Sequence, residues 1–146
     1  IVTKWAVLIS PLFLIIVLFS EEVLIILTPK NFHSAYLIIP ILLTSYIFRG
    51  LYTFSVNPLF FEKKTAYIPI ISVSAGIINI ILNLIFIPQY GIYAAAYSTL
   101  FSFFVTFLLA YYISSKSYHI KFDWGRLFMI FFPVVLVLFF IPFLYN

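Results

Sequence analysis

Long apolar runs, interrupted by short clusters of charge, Pro and Gly, divide this chain of 146 residues into five segments. The runs cover roughly 5–27, 35–61, 66–88, 92–114 and 127–145. Each is near the ~20 residues that a helix needs to cross ~30 Å of hydrocarbon. The pattern predicts an all-α integral membrane protein with about five transmembrane helices in a single membrane domain, 1–146. The separators are a polar connection over 28–34 containing Pro29, Lys30, Asn31 and His33, then Glu62-Lys63-Lys64-Thr65, Pro88-Gln89-Tyr90-Gly91, and a longer polar stretch over 115–125. Ser34 and Asp123 read as N-caps of the second and last spans. Pro40, Pro58 and Pro133 fall inside spans, where neighbouring helices can satisfy a freed carbonyl. Pro11 predicts a bend in the first span.

The third and fourth spans carry polar positions at helical spacing. Ser72, Gly76, Asn79 and Asn83 follow one another at steps of four, three and four, and Ala95, Thr99, Ser102 and Thr106 form a second stripe of the same kind. Residues three and four apart are neighbours on a helix surface, so each set occupies one face. Pro88 and Gly91 are expected to stop the first of these helices and turn the chain back. In lipid, small residues allow close backbone approach, and Asn, Ser and Thr hydrogen-bond across helices. The prediction is an antiparallel hairpin with a sided interior.

Composition removes the soluble alternative. Hydrophobic residues make up 65% and charged residues 8% of the chain, against about 45–50% and about 25% in soluble domains. There is no Cys, which excludes disulfides and thiolate metal sites. The net charge of +4 comes from a few loops and does not indicate nucleic acid. Its distribution is more informative. With five crossings, Lys4, Lys63, Lys64, Lys116, Lys121 and Arg126 share one side, and Lys30 stands opposite beside Glu21 and Glu22. Lys/Arg excess marks the cytoplasm. The first span then runs outward and the Pro88–Gly91 turn lies outside. The chain begins at Ile1 and enters a span almost at once. A removed signal peptide is one reading; the other is the C-terminal portion of a longer protein.

Arg49 is the conspicuous residue. It falls near the middle of the second span, where a cation costs roughly 2.5–3.5 kcal/mol on insertion scales. Glu62 is about 20 Å away along the same helix and cannot be its mate. A carboxylate elsewhere, a water-filled cavity or an anionic ligand could balance it. Asn57, about two turns along, could share its face. Asn79 and Asn83 read either as interhelical hydrogen bonds or as neutral donors facing a cavity. Glu21 and Glu22 read as a solvated helix end or as a carboxylate facing an aqueous space. His33 has no second His or carboxylate at metal spacing. No phosphate loop, metal pattern or nucleophile–base pair is present, so no enzyme activity, cofactor or metal is expected.

The hairpin also carries a family resemblance. Asn79-x3-Asn83, followed by Ile87-Pro88-x-Tyr90-Gly91-Ile92 and Ala95-Ala96-x-Ser98-Thr99, resembles the C-terminal half of polysaccharide and lipid-linked oligosaccharide flippases. Their superfamily also contains the multidrug and toxin extrusion transporters. Ala94 stands where that pattern has Gly, which keeps the position small. The resemblance covers roughly residues 5–116 and implies most of the C-terminal bundle of a larger transporter, with two six-helix bundles around a central cavity. It implies a lipid-linked anionic glycan as substrate, flipped from the cytoplasmic to the outer leaflet by alternating access. The N-terminal half of the same transporter and the lipid bilayer would be its partners, in the cytoplasmic (inner) membrane. Under this resemblance Arg49, Asn57, Asn79 and Asn83 are the candidate substrate-binding residues. A multidrug or small-solute exporter, and a membrane protein with a structural role alone, are the competing expectations.

Overall fold

The computed structural model describes residues 2–29, 35, 37–116, 123, 125–132 and 136. Among these the chain is all-helical, in the order α1 (Val2–Leu18), α2 (Ser20–Leu27), α3 (Ile39–Phe61), α4 (Tyr67–Tyr90) and α5 (Ile92–Ser115). Residues 125–132 are also helical. Helices α3, α4 and α5 are each long and apolar enough to cross a membrane, and α1 with α2 would make a fourth, bent span. The expected fifth span, the N-cap at Ser34, and Lys30, His33 and Lys121 lie wholly or mostly outside the described residues. Two compact units are present, one of Ile1–Ile41 with Phe122–Asn146 and the other Leu42–Lys121.

The Leu42–Lys121 unit is built on the α4–α5 hairpin. The expected four-residue turn is shorter in the structure. Helix α4 continues through Pro88 to Tyr90, and the reversal occurs at Gly91. Proline's fixed φ suits a helix, and its missing N–H costs α4 one ladder bond, to the Leu84 carbonyl, two residues before the helix ends. Gly91 has φ 58° and ψ −138°, a region that side chains with a Cβ rarely enter. Its N–H closes the last turn of α4 on the Ile87 carbonyl at 2.8 Å.

The residues that helix α4 buries, Ile71 and Ala75, are apolar, and so is its outward face. Ile70, Val73, Ile77, Ile80 and Leu84 are exposed at steps of three and four, the stripe a lipid-facing helix presents. Helix α5 buries Ala94, Ser98, Ser102, Thr106, Ala110 and Ser114. Every step in that set is four residues, so this is one i±4 ridge. A helix advances about 100° per residue, and the ridge therefore drifts about 40° per step around α5. It begins near the Gly91 turn and ends against α3, where the buried Ser114 hydroxyl donates to the Ser55 carbonyl at 2.6 Å. Between these points Ala110 packs with Val56 and Leu59 of α3 and Ile71 of α4. Phe48 of α3 adds edge contacts to Phe104 and tilted packing on Phe107.

Helix α3 ends in a motif not expected from the sequence. The Lys64 N–H bonds the Leu59 carbonyl at 2.8 Å and the Lys63 N–H bonds that of Phe60 at 3.2 Å. This is the Schellman arrangement, with Lys63 in the left-handed position at φ 56°. Glu62 and Lys64 form an ion pair at 2.9 Å across the turn.

In the other unit α1 buries Ala6, Ser10, Phe13 and Val17, again one face. The Ser10 hydroxyl donates to the Ile130 carbonyl at 3.1 Å, and Trp5 meets Phe131 edge-on at 6.5 Å. Asp123 behaves as the expected N-cap. Its Oδ1 accepts the Arg126 N–H at 3.3 Å, and its Oδ2 pairs with Arg126 Nε at 2.9 Å. The first span does not run straight to Leu27. It breaks at Phe19, with a bend of 55° between α1 and α2, whereas Pro11 sits within α1. Glu21 and Glu22 fall in the first turn of α2, where the positive end of the helix dipole favours carboxylates.

Candidate functional site

A cavity of about 370 Å³ opens among α3, α4 and α5 of the Leu42–Lys121 unit. Its polar lining is Arg49 from α3, Ser72 and Asn79 from α4, and Thr99, Ser102 and Thr106 from α5. The two stripes expected from helical spacing therefore do face one space, and Arg49 faces the same space from a third helix. Arg49 is about 15 Å along the axis from the start of α3 and about 18 Å from its end, at 1.5 Å per residue. That is the middle of a helix able to cross the hydrocarbon.

Arg49 is exposed within this chain. Its guanidinium carbon lies 5.3 Å from the centroid of the Phe103 ring, a cation–π contact. Among the described residues its charge enters no ion pair; the recorded pairs are Glu62–Lys64 and Asp123–Arg126. Tyr52, one turn beyond Arg49, also lines the cavity, and its hydroxyl lies 3.4 Å from that of Ser72. Neither Tyr52 nor Phe103 was expected from the sequence. Tyr52 could have been found by its three-residue spacing from Arg49. Phe103 could not, because nothing in a run of aromatic residues marks the one beneath a cation.

The hydroxyls of α5 are held differently from one another. Thr99 donates to the Ala95 carbonyl at 2.9 Å, and Thr106 to that of Ser102 at 2.6 Å. Ser102 is 4% exposed, and its Oγ has no hydrogen-bond partner among the described residues. Buried polar atoms are rarely left unmatched. Ala95, expected in the stripe, is not in the lining, and Gly76 is.

Asn79 and Asn83 bond to each other along α4, with Asn83 Nδ2 donating to Asn79 Oδ1 at 3.0 Å. The expected hydrogen bonding between helices is thus replaced, for this pair, by an i,i+4 bond within one helix. Asn83 is not among the lining residues, and its Oδ1 is buried without a hydrogen-bond partner among the described residues. Asn57 is exposed and also absent from the lining. Eight residues make about 2.2 turns, which places Asn57 about 80° around α3 from Arg49.

A second groove of about 340 Å³ lies on the hairpin nearer its turn, between Phe86 and Tyr90 of α4 and Tyr93, Tyr97 and Phe101 of α5. It offers almost no polar surface, so the chemistry is concentrated in the cavity beside Arg49. Among the described residues no group of three His, Cys, Asp or Glu side chains comes together as a metal site.

Fold and site together define a helical membrane protein with a polar, cation-bearing cavity between apolar helices. Comparison with family models, curated proteins and solved structures gave no match.

Proposed function

We propose that this chain forms one wall of a multi-pass transporter that carries a lipid-linked anionic glycan from the cytoplasmic to the outer leaflet of the inner membrane. The reading is that of a polysaccharide or O-antigen flippase, with the N-terminal half of the same transporter completing the bundle. Support comes from a single observation. Arg49 projects from mid-helix into a cavity shared with Ser72, Asn79, Thr99, Ser102 and Thr106, with no carboxylate beside it among the described residues. Intramembrane cations typically face a bundle interior or water-filled cavity and mark substrate pathways. Here the cation would offset the charge of the glycan carrier while the lipid tail stays in the bilayer. Rocking of two bundles about the site would then open it to either side in turn.

A multidrug or small-solute exporter is the neighbouring alternative. An unbalanced cation favours an anionic cargo over a cationic one. A structural role has its own support in the Phe103 ring beneath Arg49, since cation–π contacts contribute about 0.5–2 kcal/mol. Glycan export by the complete protein separates these readings. Arg49→Ala is expected to abolish export at unchanged membrane level, and Arg49→Lys to retain part of it. Full export by Arg49→Ala removes Arg49 from any substrate site and leaves the structural role.

A further inference from the structure

The Phe103 ring of α5 touches two residues of α3. The Arg49 guanidinium carbon lies over it, 5.3 Å from the centroid. Tyr46 meets the same ring edge-on, with centroids 6.1 Å apart and planes at 60°. Tyr46 and Arg49 share one face of α3, because residues three apart are neighbours on a helix surface. Phe103 is therefore held by one aromatic neighbour while it carries the cation, and Arg49 and Phe103 both line the cavity.

A carboxylate and a ring face hold a cation differently. The carboxylate takes N–H donors, whereas the π face attracts the charge through its quadrupole and need take none. Arg49 has N–H donors and no acceptor. Among the described residues none of those donors is spent on a hydrogen bond or an ion pair. Arg49 is exposed within the chain, so they are open to an occupant of the cavity. A planar guanidinium gives two parallel hydrogen bonds to a carboxylate or a phosphate. A halide of the same charge has no second oxygen to offer the fork.

Building on the reading of this cavity as a substrate site, we infer that Phe103 is a positioning residue. Its ring carries the Arg49 guanidinium in the cavity and leaves the N–H fork to grip an oxyanion, a phosphate or a carboxylate, by two oxygens. A contact that served structure alone would have no effect on anion binding, which makes the two roles separable.

The test places mono-, di- and trifluorophenylalanine at position 103 of the complete protein, in nanodiscs of zwitterionic lipid. Successive fluorines nearly keep the shape of the ring and draw negative charge from its face, which weakens the cation–π contact. The fluorine resonance reports an occupant beside the ring. Acetate, dimethyl phosphate and chloride are the probes, each singly charged. With one fluorine, acetate or dimethyl phosphate is expected to bind about three- to tenfold more tightly than chloride, the value of one further hydrogen bond. The tighter of the two assigns the oxyanion to a carboxylate or to a phosphate. Its affinity should fall stepwise along the series, by about three- to tenfold in all. Arg49→Gln in the monofluoro protein should erase the preference over chloride. Affinity that stays constant while unfolding midpoints fall overturns the positioning role and leaves a structural contact. Affinity that rises overturns it too, because the ring then competes with the anion. Chloride bound as tightly as both oxyanions, or no binding of any probe, overturns the oxyanion assignment. Any of these results beside Arg49-dependent export leaves the transport reading standing. Export that ignores Arg49 removes that reading itself.

Discussion

The Ser114 hydroxyl of α5 donates to the Ser55 carbonyl of α3 at 2.6 Å, and neither serine has any exposed surface. Ser55 sends its own hydroxyl back to the Leu51 carbonyl at 2.9 Å. The two helices meet here because both residues are small, and the bond follows from the approach. Interhelical hydrogen bonds in membranes contribute about 0.6 kcal/mol on average and about 1.7 at most. Ser114→Ala should therefore destabilise the protein mildly, within that range. Ser114→Leu should cost more, about 1–3 kcal/mol or beyond, because an overpacked contact forces the backbones apart. Thermal unfolding in detergent of both variants checks the ordering. Equal losses would mean that the hydrogen bond, and not the volume, sets the contact.

Two glycines on the same hairpin should respond oppositely to Ala. A Cβ at Gly91 meets nothing within 4 Å, yet its φ of 58° is strained for any residue that carries one. Gly91→Ala should cost about 1–3 kcal/mol through the backbone alone. Gly76 lies inside α4 and also has open space around a built Cβ. Gly76→Ala should be neutral or stabilising by up to about 1 kcal/mol from helix propensity, while adding a methyl to the cavity lining. Unfolding midpoints measured side by side provide the comparison.

Lys63 gives a third, sharper case. It occupies the left-handed position that ends α3, where Gly is the usual residue. Lys63→Gly should raise stability by about 1 kcal/mol on relief of that conformation, and Lys63→Ala should not. Both variants lose the same charge, so the difference between their unfolding midpoints isolates the backbone term.

The legible part of this fold was the part written in periodicity. Apolar runs located α3, α4 and α5 to within a few residues, and the steps linking Ser72 to Asn79 and Thr99 to Thr106 located two of the three cavity walls. What escaped depends on angles that spacing alone leaves loose. Thr99, Ser102 and Thr106 line the cavity, and Ser102 and Thr106 also lie on the buried ridge of α5, but that ridge starts at Ala94 and Ser98, one residue before the expected Ala95 and Thr99. Asn57 seemed near enough to join Arg49, and the residual 80° of rotation carries it to a different side of α3. The bend at Phe19 had no proline to announce it. Pro11 and Pro88 were both read as disruptions, and each sits within a continuing helix.

Orientation across the membrane can be tested directly, because the chain has no Cys of its own. Helix α4 is 24 residues long, about 36 Å at 1.5 Å per residue, and so exceeds a hydrocarbon core of about 30 Å. If it crosses, Lys63 and Gln89 lie on opposite sides. Lys63 and Lys64 flank its start and Lys116 follows the end of α5, while no Lys or Arg adjoins the Gly91 turn. The positive-inside bias places the lysines in the cytoplasm and the turn outside. A Gln89→Cys protein in intact cells should react with a membrane-impermeant maleimide, and a Glu62→Cys protein only after permeabilisation. Glu62 is preferred to either lysine because its replacement leaves every positive charge in place. Labelling of both positions in intact cells would show that α4 does not cross. Reversed labelling would place the Gly91 turn in the cytoplasm and overturn the orientation read from the lysines.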